Sequence, residues 1–241
     1  MEISIRQFEQ VDSTNRVLMD MAKDGAKVGT VVWARRQSTG RGRLGRSFQS
    51  PEGGVYMSLL LPLEAGSQKT GFFLTAMAGV AVKRTIYQVC NRNCGIKWVN
   101  DIILDGKKVC GILAQGASDK VVMGIGVNYT TDTSYFPPDV RDIACSIYDD
   151  PRKAPPMETF VSALAANVYD ICLSEDKTWL DEYKSSSTIV GNKVQIIQAG
   201  KITGSGKAVS IDDNCFLHII DDAGKEIVLS TGEVSVRNSY D

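Results

Sequence analysis

The sequence predicts an α+β protein, in which a mixed sheet flanked by helices is followed by a small all-β domain. Strand-like apolar runs alternate with helical patterns over about the first 185 residues. Beyond the serine triplet at 185–187 only short apolar runs remain, separated by glycine or Asp-Asp turns. The composition, with 43% hydrophobic and 23% charged residues and a net charge of −1, is typical of a globular chain that can bury a full core.

The first domain is predicted to span residues 1–185. Asp12 and Ser13 are candidate N-caps for its first helix, which Gly25 closes. Asp105-Gly106 stands between two apolar runs and predicts a tight hairpin turn. The predicted elements are strand 3–8, the helix after Ser13, strands 30–34 and 55–61, helix 70–90, strands 96–104, 107–115 and 121–129, and helices 157–174 and 179–184.

The second domain, residues 186–241, is predicted to be a small closed β-barrel. Five short strands within about fifty residues favour that architecture. The domain holds five Lys/Arg against seven Asp/Glu, a net charge of −2, which argues against nucleic-acid binding. We expect His218, the only histidine of the chain, to be a barrel side chain. The predicted strands are 193–197, 207–211, 216–220, 227–229 and 234–237.

Bulk properties exclude several classes of protein. No apolar stretch reaches the length of a membrane span, and the charged N-terminus lacks the apolar core of a signal peptide. The six cysteines lack metal-ligand spacing, so we expect no metal centre and predict buried, reduced thiols in a cytoplasmic protein. The oligomeric state stays open, a homodimer included.

The glycine- and arginine-rich run from Gly40 to Arg46 is the most distinctive segment. Gly40, Gly42 and Gly45 match the spacing of a dinucleotide-binding fingerprint, but a strand follows where that motif needs a helix. A kinase glycine loop would need a His-Arg-Asp element, and no histidine precedes His218. Neither motif therefore explains the run.

Local charge gives a better explanation of this loop. Residues 25–51 contain no Asp or Glu, and arginine holds carboxylate or phosphate oxygens bidentately while glycine lets the backbone approach a ligand or adopt positive φ. An anion-clamping loop is the favoured interpretation; a solvated basic loop and a nucleic-acid grip are the alternatives. The cations of the segment are Lys27, Arg35, Arg36, Arg41, Arg43 and Arg46.

A second group of polar residues lies at 95–101, where Lys97, Asn100 and Asp101 fall within five positions. On a continuous strand, Lys97 and Asp101 would share one face and Asn100 would lie on the other. Glycine-containing strands follow at 108–113 and 124–128, and glycine within a strand often marks a close approach of backbone or ligand.

Together these segments resemble the biotin–protein ligases. The resemblance rests on Asp-Ser-Thr-Asn at 12–15, Gly-Arg-Gly-Arg-Leu-Gly-Arg at 40–46, Lys-Trp-Val-Asn-Asp at 97–101, Lys-Val-Cys-Gly-Ile-Leu at 108–113 and the glycine-bracketed strand ending in Asn128. It implies a class II synthetase-like catalytic domain with an SH3-like C-terminal barrel. It also implies two steps: biotin and ATP form biotinyl-5'-AMP, which acylates a lysine of a biotin carboxyl carrier domain.

The resemblance further implies site residues. Lys97 would stabilise charge during catalysis, with Arg43, and Mg²⁺ would bind with ATP, held mainly by the phosphates. The biotin site would comprise Ser13, Thr14, Asn15, Gln37, Arg41, Gly42, Arg43, Lys97, Gly111, Ile112 and Leu113. The adenylate and ATP site would comprise Gly40, Arg41, Arg43, Arg46, Phe48, Asn100, Gly124 and Asn128.

Two positions depart from the family pattern: Val99 replaces a proline, and Phe48 replaces a frequent tryptophan on the adenine side. A lipoate ligase or octanoyl transferase is the closest rival, but such enzymes carry a His-Asp element that is missing here. A DNA-binding repressor would need an N-terminal helix-turn-helix, for which the sequence leaves no room before its first strand. A biotin-binding module without catalysis is a further alternative.

Overall fold

A computed structural model describes residues 2–63, 71–198, 200–230 and 233–236. Its larger sheet has seven strands in the order β1-β2-β3-β7-β6-β5-β4. β1 and β2 are parallel, and every other neighbouring pair is antiparallel. The strands are β1 Ser4–Val11, β2 Thr30–Gln37, β3 Val55–Pro62, β4 Gly95–Lys97, β5 Asp101–Leu104, β6 Lys107–Ala117 and β7 Lys120–Val127.

Helices cover both faces of this sheet. Helix α1, Thr14–Lys23, packs its Leu18 against Val32, Leu60 and Val122 on one face. Helices α2, Gly71–Cys90, and α4, Met157–Leu173, pack together and against the other face, where the main core lies. The short helix α3, Pro138–Arg141, and helix α5, Thr178–Ser185, complete the set of described helices.

One predicted strand is wrong. Residues 96–104 do not form a continuous strand, because the chain reverses at 98–100 and β4 pairs antiparallel with β5. Lys97 therefore lies directly opposite Asp101 across the pair, and the assignment of faces along one strand does not hold. The hairpin turn at Asp105-Gly106 is confirmed, with φ of 50° and 79° at its two residues.

The C-terminal domain forms a five-stranded antiparallel sheet in the order β11-β10-β9-β8-β12. Within the described residues β11 and β12 are unpaired edges, so the sheet is open there and the predicted closed barrel is not seen. Thr70 and Arg237, the ends of a predicted helix and a predicted strand, lie outside the described residues. The strands are β8 Lys193–Gln198, β9 Lys201–Ile211, β10 Leu217–Asp221, β11 Glu226–Leu229 and β12 Glu233–Val236.

The six cysteines are free, and all but Cys145 are buried. Burial raises the pKa of the Cys94 thiol to about 12, which keeps it protonated and unreactive. No helix in the described part of the chain has both the length and the apolar character needed to cross a membrane.

Candidate active site

Three glycines lie together on one face at the centre of the larger sheet. Gly111 of β6 pairs directly with Gly126 of β7, and Gly124 lies two residues along on the same face. A Cβ at Gly126 would come within 2.5 Å of the Phe48 ring, and a Cβ at Gly124 within 2.1 Å of Asn15 Oδ1. These glycines therefore form a floor on which side chains from other segments lie.

Asn15 enters this floor from α1 and is fully engaged by the protein. Its Nδ2 donates to Gln115 Oε1 at 2.7 Å and to the Leu113 carbonyl at 3.5 Å, and its Oδ1 accepts from Ser58 Oγ at 2.6 Å. Both amide hydrogens are used, and Asn15 ties α1 to the two strands β3 and β6. It is not a free donor for a ligand.

Gln37, at the end of β2, and the start of α1 form the polar end of the cleft. Gln37 Oε1 accepts from Thr14 N at 2.8 Å and lies 3.2 Å from Thr14 Oγ1. Ser13 is the N-cap residue of α1, but its hydroxyl makes no capping bond and has no partner in the described structure. The Ser13 hydroxyl, 4% exposed and lining the cleft, is thus available to a ligand.

The glycine-arginine run folds as a small hairpin. Phe48 N donates to the Gly40 carbonyl, and Gly42 N donates to the Arg46 carbonyl at 2.7 Å. Positive φ occurs at Gly45, 76°, and at Leu44, 56°, which is exposed at the tip. Gly40 and Gly42 do not use positive φ, contrary to one argument from the sequence. A Cβ at Gly40 would lie 2.4 Å from the Phe48 carbonyl, so packing requires that glycine.

A side-chain hydrogen bond ties the hairpin to the segment beside the floor. Arg43 Nη1 donates to Asn100 Oδ1 at 2.9 Å, and Asn100 Nδ2 donates to the Ile112 carbonyl at 3.1 Å. The enclosed inner cleft has an empty volume of about 470 Å³, open solvent included. It is lined by Ser13, Thr14, Asn15, Gln37, Arg41, Gly42, Arg43, Phe48, Asn100, Lys108, Gly111, Ile112, Leu113, Gly124, Ile125 and Gly126.

An outer cleft adjoins the inner one and shares Arg43, Phe48 and Lys108 with it. Lys97 and Arg46 line only the outer cleft, and Lys97 has no hydrogen bond or ion pair with any described residue. Lys108 Nζ lies 2.6 Å from Asp101 Oδ1 and 6.0 Å from the centroid of the Phe48 ring. The outer cleft therefore gathers cations at the mouth of the inner one.

Two predicted site residues line neither cleft, namely Gly40 and Asn128. Asn128 is buried behind the floor, where its Nδ2 donates to the Cys145 carbonyl at 3.0 Å. Its Oδ1 is buried without a hydrogen-bond partner among the described residues.

Sequence reasoning missed several residues of the site. Lys108 is one of them, because nothing in the sequence distinguishes it from a solvent-facing lysine near the start of a strand. Ser58 was missed because a serine in an apolar strand usually reflects packing, yet its hydroxyl contacts both Thr14 and Asn15. Gln115 belongs to the same network, but only its period-two spacing from Gly111 could have placed it on this face.

Among the described residues, the lining of the two clefts contains one acid, Asp101, and five cations from three separate segments. No group of three or more His, Cys, Asp or Glu side chains suited to a metal ion occurs among the described residues. The donor set therefore suits an anionic ligand, and a divalent cation would find its oxygen ligands mainly on that ligand.

Comparison with known proteins agrees with this architecture. Residues 7–129 match the model of the biotin/lipoate A/B protein ligase family, and residues 189–237 match the biotin protein ligase C-terminal domain. The bifunctional ligase/repressor BirA of Bacillus subtilis is 39% identical over 143 residues, which are 57% of this chain and 44% of that protein. The chain thus matches less than half of that relative's length.

Two relatives match along most of their length. The biotin–[acetyl-CoA-carboxylase] ligase of Mycobacterium tuberculosis is 30% identical over 233 residues, covering 93% of this chain and 86% of that protein. The structure of the Aquifex aeolicus biotin protein ligase in complex with biotin and ATP superposes with a TM-score of 0.82 at 28% identity. That superposition covers 98% of this chain and 99% of the other. With its fold, its cleft and these matches taken together, the chain belongs to the biotin/lipoate A/B protein ligase family.

Proposed function

We propose that this protein is an ATP-dependent biotin–protein ligase. It would condense biotin with ATP to biotinyl-5'-AMP and pyrophosphate, and then transfer the biotinyl group to a lysine of a biotin carboxyl carrier domain. Its place of action would be the cytoplasm, where ATP is at hand and buried thiols stay reduced. The observation that carries the proposal is that five cations converge on two joined clefts whose described lining holds a single acid. These cations are Arg41, Arg43, Arg46, Lys97 and Lys108.

The first step needs this concentration of charge. The biotin carboxylate and the α-phosphate are both anions, so cations must offset their repulsion and stabilise the charge that develops on the phosphoryl oxygens. Lys97 is suited to this role because it lines the outer cleft and forms no ion pair with any residue that the structure describes. Arg43, tied to Asn100, would hold the intermediate from above.

The polar end of the inner cleft would take the ureido ring. Ser13 offers an unpaired hydroxyl, and Gln37 offers the second hydrogen of its Nε2. The apolar tail of biotin would then run past Ile112 and Leu113 toward the outer cleft. Asn15 would act indirectly, by fixing the strands that carry these groups.

The nucleotide would occupy the outer part of the cleft. The Phe48 ring lies over Gly126 and would offer an aromatic face to adenine. Mg²⁺ would accompany ATP and be held mainly by its phosphates, because Asp101 is the one carboxylate in the described part of the lining and is paired with Lys108.

The test is biotin-dependent exchange of labelled pyrophosphate into ATP, followed by transfer of labelled biotin to a carrier domain. A carrier whose acceptor lysine is replaced by arginine is the matched control. If the protein lipoylates a carrier domain but does not biotinylate it, the proposal is wrong and the protein is a lipoate ligase. Biotin binding without exchange would identify a binding module instead of an enzyme.

A further inference from the structure

Ser50 joins the end of β2 to the end of the glycine-arginine hairpin. Its buried hydroxyl accepts a hydrogen bond from Gln37 Nε2 at 2.9 Å and donates one to the Phe48 carbonyl at 2.9 Å. Gln37 N also donates to the Ser50 carbonyl at 3.0 Å. Gly40 makes room for this contact, since a Cβ there would lie 2.4 Å from Ser50 Oγ.

The Ser50 hydroxyl fixes the direction of its hydrogen bond with Gln37. A serine hydroxyl has one hydrogen, and because that hydrogen goes to the Phe48 carbonyl, the oxygen can only accept from Gln37. The Gln37 amide must therefore turn its nitrogen toward Ser50. At the other end, Thr14 N–H requires an oxygen, so both neighbours select the same orientation of the amide.

This orientation determines what Gln37 can offer to a ligand. Its Oε1 is occupied by Thr14, whereas Nε2 keeps a second hydrogen after its bond to Ser50. Since Gln37 lines the inner cleft, its remaining polar group there is a donor.

We propose that Ser50 is a positioning residue, which locks the Gln37 amide as a hydrogen-bond donor and thereby selects a substrate whose head group presents a carbonyl acceptor. The inference rests on the proposed function, in which that head group is the ureido ring of biotin. Ser50 does not line the inner cleft, so it acts through Gln37. The Phe48 backbone keeps its own hydrogen bond to the Gly40 carbonyl at 2.9 Å, so the aromatic side of the cleft does not depend on Ser50 alone.

The test compares biotin with 2-iminobiotin, whose protonated guanidinium presents donors where biotin has its carbonyl. Wild-type protein should strongly prefer biotin, because two facing donors repel. Ser50→Ala removes one of the two groups that lock the amide. It should raise KM for biotin about tenfold, leave KM for ATP within about twofold, and lower the Kd preference for biotin over 2-iminobiotin by about tenfold.

Thr85→Ala is the matched control. The Thr85 hydroxyl is buried in α2, donates to the Ala81 carbonyl at 2.8 Å and accepts from Asn167 Nδ2 at 2.9 Å, the same bonding pattern as Ser50 but outside both clefts. This variant should lose stability and keep the preference for biotin. If Ser50→Ala instead keeps a preference within about twofold of wild type, or raises both KM values equally, the proposal is overturned.

A second variant covers the case in which Ser50→Ala does not fold. Gln37→Glu replaces the donor by a second acceptor, and its preference should shift toward 2-iminobiotin; an unchanged preference would again overturn the proposal. Failure of the proposed function looks different, because wild-type protein itself would then show neither biotin binding nor pyrophosphate exchange.

Discussion

Trp98 Nε1 donates a hydrogen bond to the backbone carbonyl of Cys215 at 2.8 Å. The bond fixes the turn between β9 and β10 to the segment that follows Lys97. Cys215 adopts a φ of 63°, and the Phe72 ring lies between Trp98 and Phe216, with centroids 5.9 and 6.1 Å away. Ile197 of the C-terminal sheet also lines the outer cleft, so both sheets build that cleft.

Trp98→Phe keeps an aromatic ring but leaves the buried Cys215 carbonyl without its donor. We expect it to lower the free energy of unfolding by about 1–3 kcal/mol. Trp33→Phe is the control, because the Trp33 Nε1 is buried without a hydrogen-bond partner in the described residues. Urea titrations of the two variants would decide the matter: an equal or larger loss for Trp33→Phe would mean that the Trp98–Cys215 bond adds nothing.

Lys97→Ala removes from the outer cleft a cation that has no ion-pair partner in the described part of the chain. Pyrophosphate exchange should fall by about 10²- to 10³-fold, because charge developing on the phosphoryl group loses its stabilising partner. Lys107→Ala, at an exposed position outside both clefts, should leave exchange unchanged. Near-normal exchange in Lys97→Ala would remove this lysine from the chemistry.

Arg43→Ala breaks the contact by which the hairpin reaches Asn100. Release of preformed biotinyl-5'-AMP should accelerate by about 10- to 100-fold, since a charge-assisted contact and the closure of the loop are lost together. A chase of labelled intermediate with unlabelled biotin and ATP measures the rate. Arg152→Ala, whose side chain is 90% exposed, serves as the control, and equal retention in both variants would contradict closure through Arg43.

Gly126→Ala places a methyl group 2.5 Å from the Phe48 ring. The ring must move off the floor, so we expect KM for ATP to rise several-fold and stability to fall by about 1–3 kcal/mol. Gly116→Ala is its counterpart on β6, where a Cβ meets nothing within 4 Å, and should change stability by less than about 0.5 kcal/mol. If Gly126→Ala and Gly116→Ala change KM for ATP and stability equally, the contact with the Phe48 ring has no role, and the strand glycines matter only through the backbone.

His218 should make stability depend on pH. The hydrogen bond to Glu226 Oε1, 2.8 Å away, raises the pKa of His218 above 6.5 in the folded state. The stabilisation of the folded state by protonated His218 is therefore fully present below the pKa of the unfolded state. It is lost as pH rises through the pKa of the folded state. Because the pair is partly exposed, we expect less than about 1 kcal/mol. The measurement is the urea midpoint of wild type and of His218→Asn on both sides of pH 6.5. If both midpoints depend on pH in the same way, His218 does not link stability to pH.

The elements that local pattern governs were predictable. Helix α2 and the hairpin at Asp105-Gly106 follow from apolar spacing and turn chemistry, and both formed as expected. The anion-clamping loop stood out because charge and glycine spacing are properties of the sequence itself. The inner cleft was likewise predictable at Ser13, Thr14 and Gln37, which the structure brings together.

Contacts between distant segments were not predictable. Glycine and proline are absent at 98–100, and Asn100 alone is too weak a turn signal to predict that the chain reverses there. The Asn15 amide donates to Gln115, one hundred positions away, and no local sequence pattern predicts that bond. Lys108 became part of the site only because β6 brings it beside Asp101.

The floor formed by Gly111, Gly124 and Gly126 contributes backbone and space but no functional group. Functional groups that touch a ligand must therefore come from the segments that reach over the floor, such as Phe48 from the hairpin and Gln37 from the end of β2. Exchanging those overlying side chains would change which ligand fits while the β-framework stays as it is. The β-framework thus supports a ligand without discriminating between ligands, and the overlying segments supply the contacts that discriminate.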